Sequence, residues 1–159
     1  MPEPTRMTVT RVIPASAEVI FALITLPSGH VAMDGSGMLL SAPDDTPLTA
    51  VGDSFVINMD REPLGDVPEM GKYDVLNTVL AIEPNRLLEW NVGQVGRPPF
   101  GHYYGIALTP LSDSQTEVAN YVDWSNLPEK WKDRVKFPIV PQHMMEASLV
   151  RLEEALLSA

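Results

Sequence analysis

The sequence predicts an α+β domain in which a curved antiparallel sheet wraps around one long C-terminal helix, with two short helices after the first strand. Residues 140–157 carry the longest helical pattern. Their apolar residues recur in steps of three or four and form one stripe, which consists of Met145, Leu149, Leu152 and Leu156 and is widened by Met144, Val150 and Ala155. Between residues 37 and 124, alternating segments are separated by turns rich in proline and glycine, as in antiparallel sheets. Neither element can bury its apolar face alone, so the helix is expected to pack on the sheet.

Length and composition limit the class of protein. The 159 residues predict a single domain spanning 1–159. The chain has no cysteine, which excludes disulfides and thiolate metal sites, and its net charge of -10 argues against a nucleic-acid partner. No apolar run has the length of a signal peptide or a membrane span, so a cytoplasmic protein without membrane insertion is expected. Nothing in the composition indicates the oligomeric state.

The first strand and the two short helices follow from local signals. Residues 7–13 alternate and are rich in valine and threonine, which is typical of a strand. Ser16 is the expected N-cap of a first helix that Pro27 ends. Ser28 is then placed to cap a second short helix, and the DGSG sequence at 34–37 predicts a turn.

Six further segments have the pattern of strands, and the connections between them differ in length. The segments are 37–42, 53–60, 73–83, 86–92, 102–110 and 116–124. Residues 61–72 hold two prolines and two glycines, and such long loops often border a site, so this loop is a candidate lid.

A last short helix is predicted over 129–136, with Trp131 and Val135 facing inward. Lys130, Lys132, Arg134 and Lys136 form a basic cluster there. We interpret the cluster as a solvated face, with docking of an acidic carrier protein as the alternative.

The order of these segments resembles the START-like helix-grip (SRPBCC) superfamily, which includes lipid-transfer domains, pollen-allergen-like proteins and aromatic polyketide cyclases. The resemblance covers residues 8–157, and within the superfamily the chain is most similar to bacterial polyketide cyclase/dehydrase proteins. The resemblance rests on the following segments: TVTRVIPASAEVIFALIT, the DGSG turn, VGDSF, LAIEPNRLLEW, EVANYVDWS and the final helix. The resemblance implies a deep cavity between sheet and closing helix that holds a small apolar or aromatic ligand. It implies no particular reaction, because one fold hosts carriers, receptors and enzymes alike.

One face of each strand would line such a cavity. Side-chain alternation places a set of aromatic and polar residues on the concave face, and we predict these as ligand contacts: Phe55, Asn77, Trp90, His102, Tyr104, Asn120 and Trp124. His102 and Tyr104 could donate hydrogen bonds to a ligand carbonyl, or act as acid and base in a cyclisation or dehydration. They could equally be satisfied by each other or by a buried water.

Two other regions supply candidates. His30 and Asp34 are four residues apart on the second helix, which predicts a polar rim at the cavity mouth or hydrogen bonds that pin the turn. They lack a third ligand, so no metal is predicted. On the closing helix, His143, Met144 and Ser148 are expected to border the pocket, while Leu149, Leu152 and Leu156 seal the core.

The function predicted from these residues is binding or carriage of a small hydrophobic or aromatic molecule. The alternatives are a polyketide cyclase or dehydratase that uses His102 and Tyr104, and an interaction domain whose cavity is filled by its own side chains. No nucleophile motif and no phosphate-binding glycine loop are present, and no cofactor is predicted.

Overall fold

A computed structural model of the protein describes residues 4–132 and 136–158, and within them seven strands form one antiparallel sheet in the order β1-β7-β6-β5-β4-β3-β2. The strands are β1 (Arg6–Ile13), β2 (Leu39–Ser41), β3 (Ser54–Asp60), β4 (Lys72–Glu83), β5 (Leu87–Gly93), β6 (Tyr103–Ser112) and β7 (Gln115–Asp123). The helices are α1 (Ala17–Ile24), α2 (Pro27–Met33), α3 (Glu129–Lys132) and α4 (Gln142–Leu157). The predicted α+β fold, with a curved sheet, two short helices and a long C-terminal helix, is confirmed.

The start of α1 is as predicted, whereas that of α2 is not. The backbone N–H of Val19 donates to Ser16 Oγ over 3.3 Å, so Ser16 is the N-cap of α1. Helix α2 begins at Pro27, with Leu26 at the N-cap position. Proline suits the first helical position because a backbone N–H at that position would have no partner within the helix, so its absence costs nothing. Ser28 therefore lies inside α2, where its backbone N–H and its hydroxyl both donate to the Asp45 carboxylate.

The buried stripe of α4 is narrower than predicted. Met145, Leu149 and Leu152 are buried and Leu156 packs partly buried against the core. Val150, which was expected to widen the stripe, is 38% exposed. Helix α4 lies mainly on β1 and α2. It thus rests on one side of the sheet and leaves a gap over the concave face of β4, β5 and β6.

The DGSG turn after α2 fastens α4 in this position. The backbone N–H of Gly35 donates to Ser148 Oγ over 2.8 Å, and Arg151 donates to the Asp34 carbonyl over 2.6 Å. A Cβ atom on Gly35 would lie less than 3.0 Å from backbone atoms of α4 at Ala147 and Ser148. Only glycine lets the turn approach the helix this closely.

Three connections leave the sheet at the same end, because neighbouring strands run in opposite directions. They are the β3–β4 loop (61–71), the β5–β6 loop (94–102) and the β7–α4 segment (124–141). Helix α3 lies in the last of them, and the positions of Arg134 and Val135 in the predicted helix fall outside the described residues. We call this end of the molecule the loop end.

Candidate functional site

A cavity of about 810 Å³ lies between α4 and the concave face of the sheet and reaches the loop end. Pockets for small molecules usually measure about 300–1,000 Å³, so its size suits one. Most of its wall is apolar, with contributions from Met33, Met38, Ile57, Val75, Val92 and Ile106. The described side chains leave this space open, which argues against the predicted alternative of a self-filled cavity.

The strand parity predicted from alternation places several polar and aromatic residues on this wall. Asn77, Trp90, His102, Tyr104 and Asn120 all line the cavity. Trp90 on β5 is directly opposite Tyr104 on β6, and their rings stack with centroids 6.1 Å apart. The sheet therefore brings these five side chains together on one surface.

His102 is a buried imidazole enclosed by aromatic rings. It is 3% exposed, and its ring centroid lies 4.9 Å from that of Phe137 and 5.7 Å from that of Tyr104. Its Nδ1 atom is buried and has no hydrogen-bond partner among the described residues. Burial lowers the pKa of His102 to about 4, because a charged ring would lose its hydration there. The imidazole is therefore neutral at pH 7.

Tyr104 and two asparagines also contribute polar groups to the wall. Burial, and to a lesser extent the neighbouring Tyr73, raises the pKa of Tyr104, so its phenol stays protonated. Asn120 donates from Nδ2 to the Gly105 carbonyl over 3.0 Å. Asn77 is 6% exposed, and its Oδ1 atom has no hydrogen-bond partner in the part of the chain that the structure describes.

His30 lies in the interior of the cavity and not on its rim. It is 5% exposed, and its Nε2 atom is 2.8 Å from the Ile24 carbonyl at the end of α1. A carbonyl can only accept, so Nε2 carries the proton and the ring ties α2 to α1. The imidazole ring meets the Trp90 ring edge-on, with the ring centroids 4.6 Å apart. Burial lowers the pKa of His30 to about 4, although the hydrogen bond to Ile24 opposes this shift.

Asp34 also lines the cavity, but its carboxylate is occupied by the turn. Oδ1 accepts from the N–H and the hydroxyl of Ser36, and Oδ2 accepts from the N–H groups of Gly37 and Leu39. These hydrogen bonds pin the turn, which is the second of the two roles predicted for Asp34. Ser148 likewise lines the cavity while its hydroxyl accepts from Gly35 and donates to the Met144 carbonyl.

Four predicted contact residues lie off the wall. His143 is exposed and Met144 is partly buried outside it. Met145 and Ser148 turn inward, and since each residue rotates about 100° along a helix, His143 points away from the cavity. Phe55 is buried behind His30, and the two rings meet edge-on with their centroids 5.0 Å apart. Trp124 follows the last residue of β7, where strand parity no longer applies, and stacks on Phe137.

Three basic residues line the cavity at the loop end and were not among the predicted site residues: Arg61, Arg97 and Lys130. Each belongs to a different one of the three connections at that end. The sequence contains a signal for this grouping. Successive antiparallel strands run in opposite directions, so their order along the chain shows which loops lie at the same end of the sheet.

No group of three or more histidine, aspartate or glutamate residues suited to a metal ion occurs within residues 4–132 and 136–158. In the same ranges, no helix has both the length and the apolar character needed to cross a bilayer.

Solved structures with this architecture cover nearly the whole chain. Protein CV1439 from Chromobacterium violaceum matches with a TM-score of 0.66 at 15% identity, over 96% of this chain and 97% of that one. Ginseng major latex-like protein 151 from Panax ginseng matches with a TM-score of 0.66 at 13% identity, over 96% and 97%. Protein Ms6760 from Mycobacterium smegmatis matches with a TM-score of 0.67 at 11% identity, over 97% and 92%.

Sequence comparison adds a relative with a higher identity over a smaller part of the chain. The chain is 29% identical over 110 residues to the uncharacterized protein Rv0088 of Mycobacterium tuberculosis, across 69% of this chain. The match spans 43% of the length of that relative. No protein-family model matches the chain. The sheet, the closing helix and the structural neighbours together show that the protein has the helix-grip fold.

Proposed function

We propose that the protein binds a small hydrophobic or aromatic molecule in the cavity between α4 and the sheet. The observation that carries this proposal is the cavity of about 810 Å³, whose wall is mainly apolar and carries a smaller number of polar side chains. Ligand sites combine these two properties, since the apolar wall contributes affinity and the polar groups fix the orientation.

Two polar atoms on this wall support a ligand with hydrogen-bonding groups. Asn77 Oδ1 and His102 Nδ1 are buried without a partner in the described chain. An unsatisfied buried polar atom costs about 1–3 kcal/mol. A ligand hydroxyl or amide that donates to Asn77 Oδ1 would remove part of that cost on binding.

The aromatic rings on the cavity wall favour an aromatic ligand. Trp90, Tyr104, Phe100 and Phe137 all line the cavity. Aromatic pairs gain about 0.5–1.5 kcal/mol beyond area burial when they stack or meet edge-on. The wall therefore offers several such positions to a planar ring.

The alternative of a cyclase or dehydratase has less support from the same residues. General acid–base catalysis works best when the catalytic pKa lies near the working pH. Burial lowers the pKa of His102 to about 4 and raises that of Tyr104, so each shift weakens the group as base or acid. Hydrogen bonding to a ligand requires no proton transfer and suits both groups as they stand.

Titration with the neutral fluorophore N-phenyl-1-naphthylamine tests the proposal. We expect saturable binding with one probe per chain. Val92 lines the cavity, so Val92→Trp should fill probe space and weaken binding by about tenfold or more. Val12, on β1, is 46% exposed, and Val12→Trp is the matched control that should bind like the wild type.

Circular dichroism should first establish that both variants are folded. Wild-type affinity in a folded Val92→Trp variant would place the probe elsewhere and contradict the proposal. Failure of the wild type to bind any probe would contradict it as well.

A further inference from the structure

The loop end of the cavity carries positive charge in a chain that is otherwise acidic. The sequence has 11 basic and 21 acidic residues. Arg61, Arg97 and Lys130 nevertheless all line the cavity, and each comes from a different connection. Three separate loops therefore converge with basic residues on a single opening.

Two of these three charges are available to a ligand. Arg61 forms a bidentate pair with Asp66, with N–O distances of 2.8 and 2.7 Å, so its charge is largely balanced. Arg97 and Lys130 are exposed and form no ion pair with another described residue. The Nζ atom of Lys130 lies 5.6 Å from the centroid of the Trp131 ring, and this contact holds the ammonium group beside the aromatic wall.

Negative charge on the wall does not oppose them. Asp34 is the single acidic residue among the described lining residues, and backbone N–H groups and the Ser36 hydroxyl occupy its carboxylate. Glu129, next to Lys130 in sequence, pairs with Lys132 over 2.9 Å. The opening thus combines an apolar interior with two cations that have no ion-pair partner among residues 4–132 and 136–158.

We propose that the ligand is an amphipathic anion, with an apolar or aromatic body in the cavity and an acidic group held between Arg97 and Lys130 at the opening. This inference rests on the proposed function and adds the chemical class of the ligand. An acidic group at the opening remains partly hydrated, so the charge is not buried without compensation. The guanidinium of Arg97 suits a carboxylate, sulfonate or phosphate because it offers parallel N–H donors.

The test compares two probes that share one ring system. N-phenyl-1-naphthylamine is neutral, and 8-anilinonaphthalene-1-sulfonate adds a sulfonate to the same skeleton. In the double variant Arg97→Gln/Lys130→Gln, the affinity for the sulfonate relative to the neutral probe should fall by about tenfold. In the wild type, raising NaCl from 0.05 to 0.5 M should weaken the sulfonate more than the neutral probe.

The control variant is Arg86→Gln, which removes one positive charge where the double variant removes two. Arg86 lies in the β4–β5 turn, away from the cavity wall, so its loss should leave the affinity ratio at the wild-type value. An unchanged ratio in the double variant, with the neutral probe still bound in the cavity, would overturn the anion inference and leave the proposed function standing. Failure of the neutral probe to bind the wild type would overturn both.

Discussion

Lowering the pH from 7 to 5 should reduce the free energy of unfolding by roughly 4 kcal/mol, because two buried histidines must stay neutral in the folded protein. Burial lowers the pKa of both His30 and His102 to about 4. In the unfolded chain, each returns to an ordinary value of about 6.5. Between these values the unfolded state binds more protons than the folded state, so stability is complete above about pH 6.5 and falls as the pH approaches 4.

Each histidine contributes roughly 2 kcal/mol of the loss between pH 7 and 5. Below about pH 4 the folded state also takes up the protons, and the contribution of these two residues to the slope ends. Urea denaturation at pH 7, 6 and 5 measures the effect directly. These pH values lie above the ordinary carboxylate range, so the depressed aspartates add little.

Substitution by glutamine separates the histidines. His102→Gln cannot titrate, so about half of the pH-dependent loss should disappear in that variant. His143→Gln is the control, because it replaces an exposed histidine and should retain the wild-type loss. If wild-type stability is the same at pH 7 and pH 5, the two rings are not buried as described.

The variant Leu152→Ala should lose about 2–5 kcal/mol of stability, because Leu152 is 0% exposed on the inner stripe of α4. The loss combines the transfer energy of the removed methyl groups with the cavity left behind. Val150→Ala on the same helix is the matched control. Val150 is 38% exposed, so its truncation should change stability by about 0.5 kcal/mol or less.

Both variants can be measured by urea denaturation at pH 7. A loss below about 1 kcal/mol for Leu152→Ala would show that this position is not packed core. Such a small loss would also contradict the packing of α4 on β1 and α2, on which the cavity depends.

The sheet could be predicted because its signals are local. Prolines and glycines mark the turns, and alternation between them identifies which side chains share a face. Trp90, Tyr104 and Asn120 lie within their strands, and all three reach the cavity wall as parity requires. Trp124 lies one residue beyond β7, and there the same reasoning fails.

Contacts between distant segments could not be predicted in the same way. The burial of His30 depends on the carbonyl at the end of α1, which needs a donor that α1 itself cannot provide. The outward position of His143 depends on the rotation of α4 about its axis. The hydrogen bond from the N–H of Gly35 to Ser148 fixes that rotation, and Gly35 lies in a turn more than a hundred residues before the helix. The cavity itself exists because α4 rests on β1 and α2, and no local pattern encodes that choice.

The most direct test of the central claim is a crystal structure of the protein with N-phenyl-1-naphthylamine. We expect density for one probe between α4 and the concave face, in contact with the wall formed by Trp90, His102 and Tyr104. Its amine should lie within hydrogen-bond distance of Asn77 Oδ1 or His102 Nδ1, the two buried atoms on the cavity wall that have no hydrogen-bond partner among the described residues. A probe bound only on the outer surface, or a cavity closed by its own side chains in the crystal, would contradict the claim.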